Sequence, residues 1–129
     1  MLKRTILILT IGLLTACSQD TEEQPELSTE PIEVDVLNEA SASVGDDVTF
    51  EIEVTQAGDG VEDANEVIIE VWTDGEKENS AMVPAEHTEN GVYTADFTYA
   101  EPALYYVQPH VTARGMHSMP VHEVDVSDN

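Results

Sequence analysis

Residues 48–54 read Val-Thr-Phe-Glu-Ile-Glu-Val, a strict alternation of apolar and polar side chains. Successive side chains of a β-strand point to opposite faces, so this pattern predicts a strand with one buried and one solvated face. Residues 32–36 (IEVDV) alternate in the same way. Residues 67–72 (VIIEVW) form a nearly continuous apolar run, which is typical of a strand inside a sheet. The central part of the chain is therefore predicted to be β-structure.

Short strands separated by turns continue to the C-terminus. Residues 81–83 are stopped by Pro84, which predicts an edge strand because proline has no N–H for the sheet. Further strands are predicted at 92–99, 104–113 and 120–126. Turn-forming Gly, Asp and Asn residues separate the strands, at 44–47, 57–60, 73–75 and 89–91.

This spacing of strands predicts the fold class. Six or seven short strands in about 95 residues indicate an all-β fold, a small antiparallel immunoglobulin-like β-sandwich over residues 32–129. At most one helical turn is predicted at each of 37–43 and 61–65. Residues 90–93 (NGVY) resemble a tyrosine corner, whose Tyr hydroxyl bonds to backbone, although a strand aromatic after a hairpin reads the same way.

The N-terminus has the pattern of a secretory signal. Lys3 and Arg4 precede an apolar run at 6–14, and Leu14-Thr15-Ala16-Cys17 resembles a lipobox. Residues 1–16 are therefore interpreted as a lipoprotein signal peptide, and Cys17, the single cysteine, as the lipidated first residue of the mature protein. An ordinary signal peptide or an uncleaved anchor is the alternative, but the apolar run is shorter than the roughly 20 residues of a spanning helix.

A tether and a location follow from this interpretation. Residues 18–31 (SQDTEEQPELSTEP) have no periodicity, five acids and two prolines, so 17–31 are interpreted as the lipidated cysteine and a disordered acidic tether. We expect the domain to lie on the extracytoplasmic face of the cell membrane, held there by its lipid anchor.

The composition is strongly acidic. Without residues 1–16, only two basic residues, Lys77 and Arg114, oppose 27 Asp and Glu, a net charge of −25. Such a surface repels phosphate backbones, which excludes nucleic acid as a partner. Like charges also oppose compaction unless salt screens them, so the composition favours a saline, halophilic setting. A cation-collecting surface is the alternative, but no stretch has the spacing of a calcium loop.

Motifs for catalysis are missing from the sequence. With Cys17 lipidated, no thiol is left for a nucleophile, a disulfide or a Cys-containing zinc site. The sequence has no P-loop and no Gly-x-Ser-x-Gly elbow, and no carboxylate pair is set in an apolar stretch. The chain is therefore interpreted as a binding or assembly module and not an enzyme.

The segment at 110–122 (HVTARGMHSMPVH) is chemically unusual, because it contains three of the four His and two of the four Met of the chain. Imidazole and thioether together suit copper, with thioether favouring Cu(I). The segment predicts a copper site at His110, His117 and Met119, with Met116 as a reserve ligand. Core packing of both methionines and structural roles for the histidines are the alternative.

A hairpin would bring these ligands together. If Arg114-Gly115 form a two-residue loop, Ala113 pairs with Met116, Thr112 with His117, and His110 with Met119. The three ligands then lie on one face, with Tyr105, Val107, Val111, Ala113, Val124 and Val126 on the apolar face. A loop one residue longer would bring His110 beside Met116.

Three other residues bear on the predicted site. In the favoured register, His122 falls on the apolar face, where a structural role is expected. Met82 and His87 are further candidates elsewhere in the sequence.

Several stretches of the chain resemble the YtkA-like lipoproteins of bacilli, which are related to the FixH-like family. The resemblance covers about 32–126 and rests on four motifs, at 61–72 (VEDANEVIIEVW), 90–93 (NGVY), 106–111 (YVQPHV) and 113–120 (ARGMHSMP). It implies a small extracytoplasmic β-sandwich. Residues 101–104 (EPAL) depart from the family, which more often has Gly before this strand.

The resemblance also implies a function. FixH-like relatives are associated with assembly of copper-containing respiratory oxidases, which implies a metallochaperone or oxidase-assembly role through copper. A FixH protein proper has a membrane-spanning helix where this chain has a predicted lipid anchor. The alternative is an envelope interaction domain that binds no metal and contacts a protein partner through a sheet edge or loops.

Overall fold

Two β-sheets packed face to face form the domain in the computed structural model, which describes residues 28–128. The predicted signal peptide 1–16, Cys17 and most of the predicted tether 17–31 lie outside the described residues. Eleven strands and one short 3₁₀ helix, η1, follow in the order β1 (Ile32–Val36), β2 (Ser41–Ser43), β3 (Asp47–Gln56), β4 (Asp59–Gly60), β5 (Glu66–Thr73), η1 (Lys77–Asn79), β6 (Ala81–Pro84), β7 (Glu86–Glu89), β8 (Val92–Thr98), β9 (Ala103–Ala113), β10 (Met116–Ser118) and β11 (His122–Ser127).

The strand order confirms the sandwich. The first sheet runs β1-β3-β8-β7, with β4 beside β3, and the second runs β2-β11-β9-β5-β6, with β10 beside β9. The pairs are antiparallel except β2 with β11, which is parallel. β5 is an inner strand of the second sheet and β6 is its edge, as the apolar run and Pro84 predict.

The core is built from the apolar residues of the alternating strands. Phe50, Ile52 and Val54 of β3 are fully buried, and they face Ile69 and Val107 of the second sheet. The predicted apolar face of the C-terminal strands is buried as well: Tyr105, Val107, Val111, Ala113, Val124 and Val126. Alternation therefore leaves the other side chains of each strand on an outer face.

The two predicted helical turns are wrong. At the first, residues 41–43 are strand β2, and the Asn38 side chain bonds to the edge of β3 through Thr49 O (2.7 Å) and Glu51 N (2.8 Å). At the second, Val61 N donates to Val54 O and Asn65 N donates to Thr112 O. Because these backbone groups have partners on neighbouring strands, a helical turn is not needed to satisfy them.

The tyrosine corner is confirmed in its main feature, a Tyr hydroxyl bonded to backbone. Tyr93 Oη donates to Val61 O at 2.9 Å and accepts from Ala64 N at 3.0 Å. These bonds join β8 of the first sheet to the segment that leads into β5.

A polar contact at one end of the sandwich joins the two sheets. Gln56, the last residue of β3, is 2% exposed, and its Nε2 donates to Glu30 O at 2.7 Å. Arg114 Nη1 donates to Gln56 Oε1 at 2.7 Å, and the guanidinium also pairs with Asp63 at 3.2 Å. The tip of the β9–β10 hairpin therefore lies beside the point where the chain enters the domain.

Candidate functional site

The β9–β10 hairpin has the predicted two-residue loop. Arg114 and Gly115 both have positive φ, +53° and +76°, which is the type I′ pattern of a tight hairpin. Met116 pairs with Ala113 and His117 with Thr112, so this part of the predicted register is confirmed.

The ladder is interrupted before Met119 but keeps its register. β10 ends at Ser118 opposite Val111, and β11 starts at His122 opposite Val107. The three residues between them on each strand match one for one, which places Met119 opposite His110.

Two prolines explain the interruption. The register places Pro120 opposite Pro109, at a position where an antiparallel ladder exchanges two N–H···O bonds. Neither residue has an N–H, so neither bond can form.

The neighbouring pairs at this break have their side chains close together. Ala113 and Met116 flank the two-residue loop and form a hydrogen-bonded pair. The next pair, Thr112 with His117, is therefore a non-hydrogen-bonded pair, in which the side chains approach more closely. His110 and Met119 occupy the next non-bonded position on the same face. The ladder is therefore open at the predicted site, while the register keeps His110, His117 and Met119 on one face of the sheet.

The two histidines stand side by side on the outer face of the second sheet. Their ring centroids are 6.1 Å apart and the rings are tilted by 35°. His110 Nε2 lies 3.0 Å from Glu70 Oε1, and His117 Nδ1 lies 2.9 Å from Thr112 Oγ1. When each ring donates from its bonded nitrogen, the lone pairs of His110 Nδ1 and His117 Nε2 are available to a metal ion.

Glu70 is a member of the site that the sequence analysis did not identify. It belongs to β5, and its side chain is only 13% exposed beside His110. The hydrogen bond from Ser80 Oγ, 2.7 Å long, and the contact with His110 lower the pKa of the Glu70 carboxyl, although burial opposes this shift. The signal in the sequence was one acid inside the apolar run 67–72.

The methionines divide between the two faces. Met116 is partly buried against the core, on the opposite face from His117. Met116, the predicted reserve ligand, thus has the core-packing position that was given as the alternative to metal binding. Met119 is 53% exposed, and its carbonyl oxygen accepts a hydrogen bond from Gln108 Nε2 at 3.0 Å. Met82 is 55% exposed and pairs with Glu70 across the β5–β6 edge.

The remaining histidines lie elsewhere. His87 belongs to β7 of the first sheet, packs against Tyr93 and accepts a hydrogen bond from Gly91 N at 3.2 Å. His122 pairs with the core residue Val107, as predicted for the apolar side, and its Nε2 is buried without a hydrogen-bond partner among residues 28–128.

Carboxylates and imidazoles of the described residues 28–128 do not form a larger group. Within residues 28–128, no three side chains from His, Cys, Asp and Glu are arranged to hold a metal ion. The described part of the chain also has no helix long and apolar enough to span a membrane. The arrangement left is a pair of imidazoles with thioether and amide groups around it, on one face of a small β-sandwich.

A family model identifies the class of protein more closely. The YtkA-like family model matches residues 26–110, about two thirds of the sequence, and the chain belongs to this family. This match confirms the resemblance to the family. It ends at His110, whereas the resemblance was expected to extend to about residue 126. The hairpin residues His117 and Met119 therefore lie beyond the matched part.

Solved structures share the fold at low sequence identity. Two variants of superoxide reductase (neelaredoxin) from Ignicoccus hospitalis have TM-scores of 0.50 at 10% and 11% identity, covering 75% and 76% of this chain and 80% and 81% of theirs. The CARDB domain of a Pyrococcus furiosus protein in complex with di-metal ions has a TM-score of 0.43 at 17% identity, covering 77% and 93%. No curated protein matches the chain.

Proposed function

We propose that this protein is a membrane-anchored extracytoplasmic lipoprotein that binds one copper ion and passes it on, in a metallochaperone or oxidase-assembly role. The observation that supports this most directly is the His110–His117 pair, with one ring nitrogen of each available to a ligand.

The spacing of the two rings suits a bridging ion. A metal binds an imidazole nitrogen at about 2.0 Å, so an ion shared by two imidazoles keeps their centroids within about 6 Å of each other. The observed separation of 6.1 Å is at this limit, so the spacing of the rings is compatible with a shared ion. Imidazole serves copper in both oxidation states, and a thioether adds preference for Cu(I). Met119, opposite His110, is the thioether that completes the proposed site.

Glu70 orients one of the ligands. A carboxylate bonded to the non-ligating nitrogen of a histidine holds the ring in one tautomer and raises its basicity. Glu70 has this position at His110 Nε2, and its second oxygen is held by Ser80. The hydrogen bond from Ser80 and the contact with His110 lower the pKa of Glu70. The carboxylate therefore stays charged, which favours a cation beside it.

The exposure of the site suits transfer better than catalysis. His117 is exposed and Met119 is half exposed, so a partner's ligands can approach the ion directly. Exchange of this kind needs no nucleophile or general acid, and we propose a carrier and not an enzyme.

Membrane attachment is proposed from the lipobox-like sequence at Cys17. Ten residues lie between Cys17 and Ser28, and the eleven steps along the chain allow a reach of about 40 Å when fully extended. Because the chain enters beside Arg114, the tether and the histidine hairpin share one end of the sandwich. The tether therefore keeps this end of the domain within about 40 Å of the membrane, where an oxidase subunit would receive copper.

An interaction domain without metal is the second candidate. Three of the exposed large apolar side chains, Met82, Met119 and Val121, lie on or beside the same outer face as the histidines. Exposed apolar side chains grouped on one face are typical of protein contact sites. In this case the partner is an envelope protein and the histidines have structural roles.

Copper titration separates the two candidates. The experiment uses the full-length protein in detergent micelles, with Cu(I) and Cu(II) affinities measured by competition with chelators of known affinity. We expect one site that is weakened strongly by His110→Ala and by His117→Ala, and less by Met119→Leu.

Matched controls test whether the loss is local. His87→Ala removes an exposed imidazole from the first sheet, and Met116→Leu removes the thioether that faces the core; neither is expected to change the affinity. Equal affinity in all variants, or binding no tighter than scattered carboxylates provide, would contradict a copper site and leave the interaction domain as the better explanation.

A further inference from the structure

Gln108 has a buried oxygen without a donor in the middle of the outer face of the second sheet. The residue is 7% exposed, and its Oε1 has no hydrogen-bond partner among residues 28–128. Alternation along β9 puts it on the face of Tyr106 and His110, which are only half-buried. A buried acceptor without a donor is costly, so a ligand that supplies a donor there gains free energy on binding.

The identity of this atom as oxygen follows from its partner. Gln108 Nε2 donates to Met119 O at 3.0 Å. Exchanging the amide nitrogen and oxygen would set two acceptors against each other, so the amide is held in the observed orientation. The unpartnered atom is therefore the carbonyl oxygen.

Gln108 lies on the same face of the second sheet as the histidine pair. Gln108 is directly opposite Glu70 on β5 and two residues from His110 on the same face of β9. Glu70 reaches diagonally to His110, and Gln108 reaches the other way to the backbone of Met119. Glu70 is thus bonded to His110 and Gln108 to Met119, and the amide oxygen of Gln108 has no partner among residues 28–128.

We propose that Gln108 is a specificity-determining residue of this site, whose Oε1 accepts a hydrogen bond from water bound to Cu(II). The inference rests on the proposed copper function. Cu(II) favours tetragonal nitrogen and oxygen coordination and retains water, whereas Cu(I) in a His/Met site needs no oxygen partner. Gln108 therefore makes the site able to hold Cu(II) as well as Cu(I).

Two substitutions isolate the oxygen. Gln108→Leu and Gln108→Glu both lose the N–H that bonds Met119 O, but only Gln108→Glu keeps an oxygen acceptor. In the full-length protein in detergent, Gln108→Leu is expected to weaken Cu(II) binding by about tenfold or more, the usual effect of removing an outer partner of a metal site. Cu(I) affinity is expected to change little in Gln108→Leu. Gln108→Glu is expected to retain Cu(II), and its added negative charge is expected to favour Cu(I) as well.

The wild-type protein provides a readout that needs no variant. Pulsed electron paramagnetic resonance of the Cu(II) form is expected to show exchangeable protons of a bound water, lost in D₂O and absent from Gln108→Leu. A Cu(II) centre without exchangeable water, or equal Cu(II) losses in both variants, would overturn the role of Gln108 while leaving copper binding intact. Failure of the wild type to bind either copper ion would overturn the proposed function itself.

Discussion

The outer faces of the two sheets are built by the same alternation and have different chemistry. On the first sheet, threonines and acids of neighbouring strands pair with each other: Thr49 donates to Asp96 at 2.9 Å, and Thr98 donates to Asp47. On the second sheet, the corresponding positions hold His110, a stacked Trp72–Tyr106 pair and Gln108, whose oxygen has no partner in the described structure.

This difference separates a solvated surface from the proposed binding surface. On the first face, Thr49 and Thr98 are bonded to acids of the neighbouring strand. The second face has two imidazoles with available lone pairs and one buried unsatisfied oxygen. The function of the domain is therefore expected on one face only, and the following experiments test that expectation.

Copper-dependent stabilisation is the largest expected effect. A ligand that binds only the folded state at 100 times its Kd adds about 2.7 kcal/mol to the free energy of unfolding. We expect Cu(I) to raise the Tm of the wild type and not that of His117→Ala, measured by calorimetry with the metal in excess. Asp96→Asn, the control on the first face, should keep the full rise. A rise that persists in His117→Ala would place the metal elsewhere.

Glu70→Gln is expected to weaken copper binding by about 10- to 100-fold, because the neutral amide no longer holds His110 as a charged acceptor does. Glu66→Gln is the matched control, an exposed acid on the same strand and face. Affinities measured by chelator competition should separate the two. If both variants lose the same amount of copper affinity, the cause is the loss of negative charge in general and not the orientation of His110.

Glu70 also predicts a pH dependence of stability without metal. Its pKa is lowered in the folded protein by Ser80 and His110, from a usual value of 4.5. A carboxyl group whose pKa is lowered by folding contributes stability that is fully present above its pKa in the unfolded state. This stability is lost as the pH falls through its pKa in the folded state. Melting curves from about pH 6 to about pH 3 should show a shallower decline for Ser80→Ala than for the wild type. Identical slopes would mean that the hydrogen bond does not bias this titration.

Charge repulsion on the first face gives the smallest effect. Asp35 and Glu53 are direct cross-strand partners in β1 and β3, and like charges so placed repel by a few tenths of a kcal/mol. We expect the Tm of the wild type to rise from dilute buffer to about 1 M NaCl, where the Debye length is roughly 3 Å. Asp35→Asn should raise the Tm at low salt and reduce the salt-dependent rise slightly. A Tm that does not depend on salt would argue against the halophilic setting.

Local pattern was sufficient for the long strands and for the hairpin, but it did not predict the short strands β2, β4 and β7. The alternation at 48–54 predicts which residues of β3 face the core, because a strand's side-chain period is two whatever it packs against. The Arg114-Gly115 turn and the adjacent apolar residues predict the register, since a shift of one residue would put Val111 and Ala113 in solvent. The pairing of Thr112 with His117 therefore follows from nearby residues alone.

Contacts between distant segments were decided only by the tertiary structure. Glu70 meets His110 across 40 residues because β5 pairs with β9, and the sequence has many acids among which this one was not distinguished. The failed helical turns at 37–43 and 61–65 have the same origin: their backbone groups bond to strands that are remote in sequence. Periodicity is a property of one strand, whereas strand neighbours are chosen by burial over the whole chain, so the sequence determined the histidine hairpin and the fold determined what surrounds it.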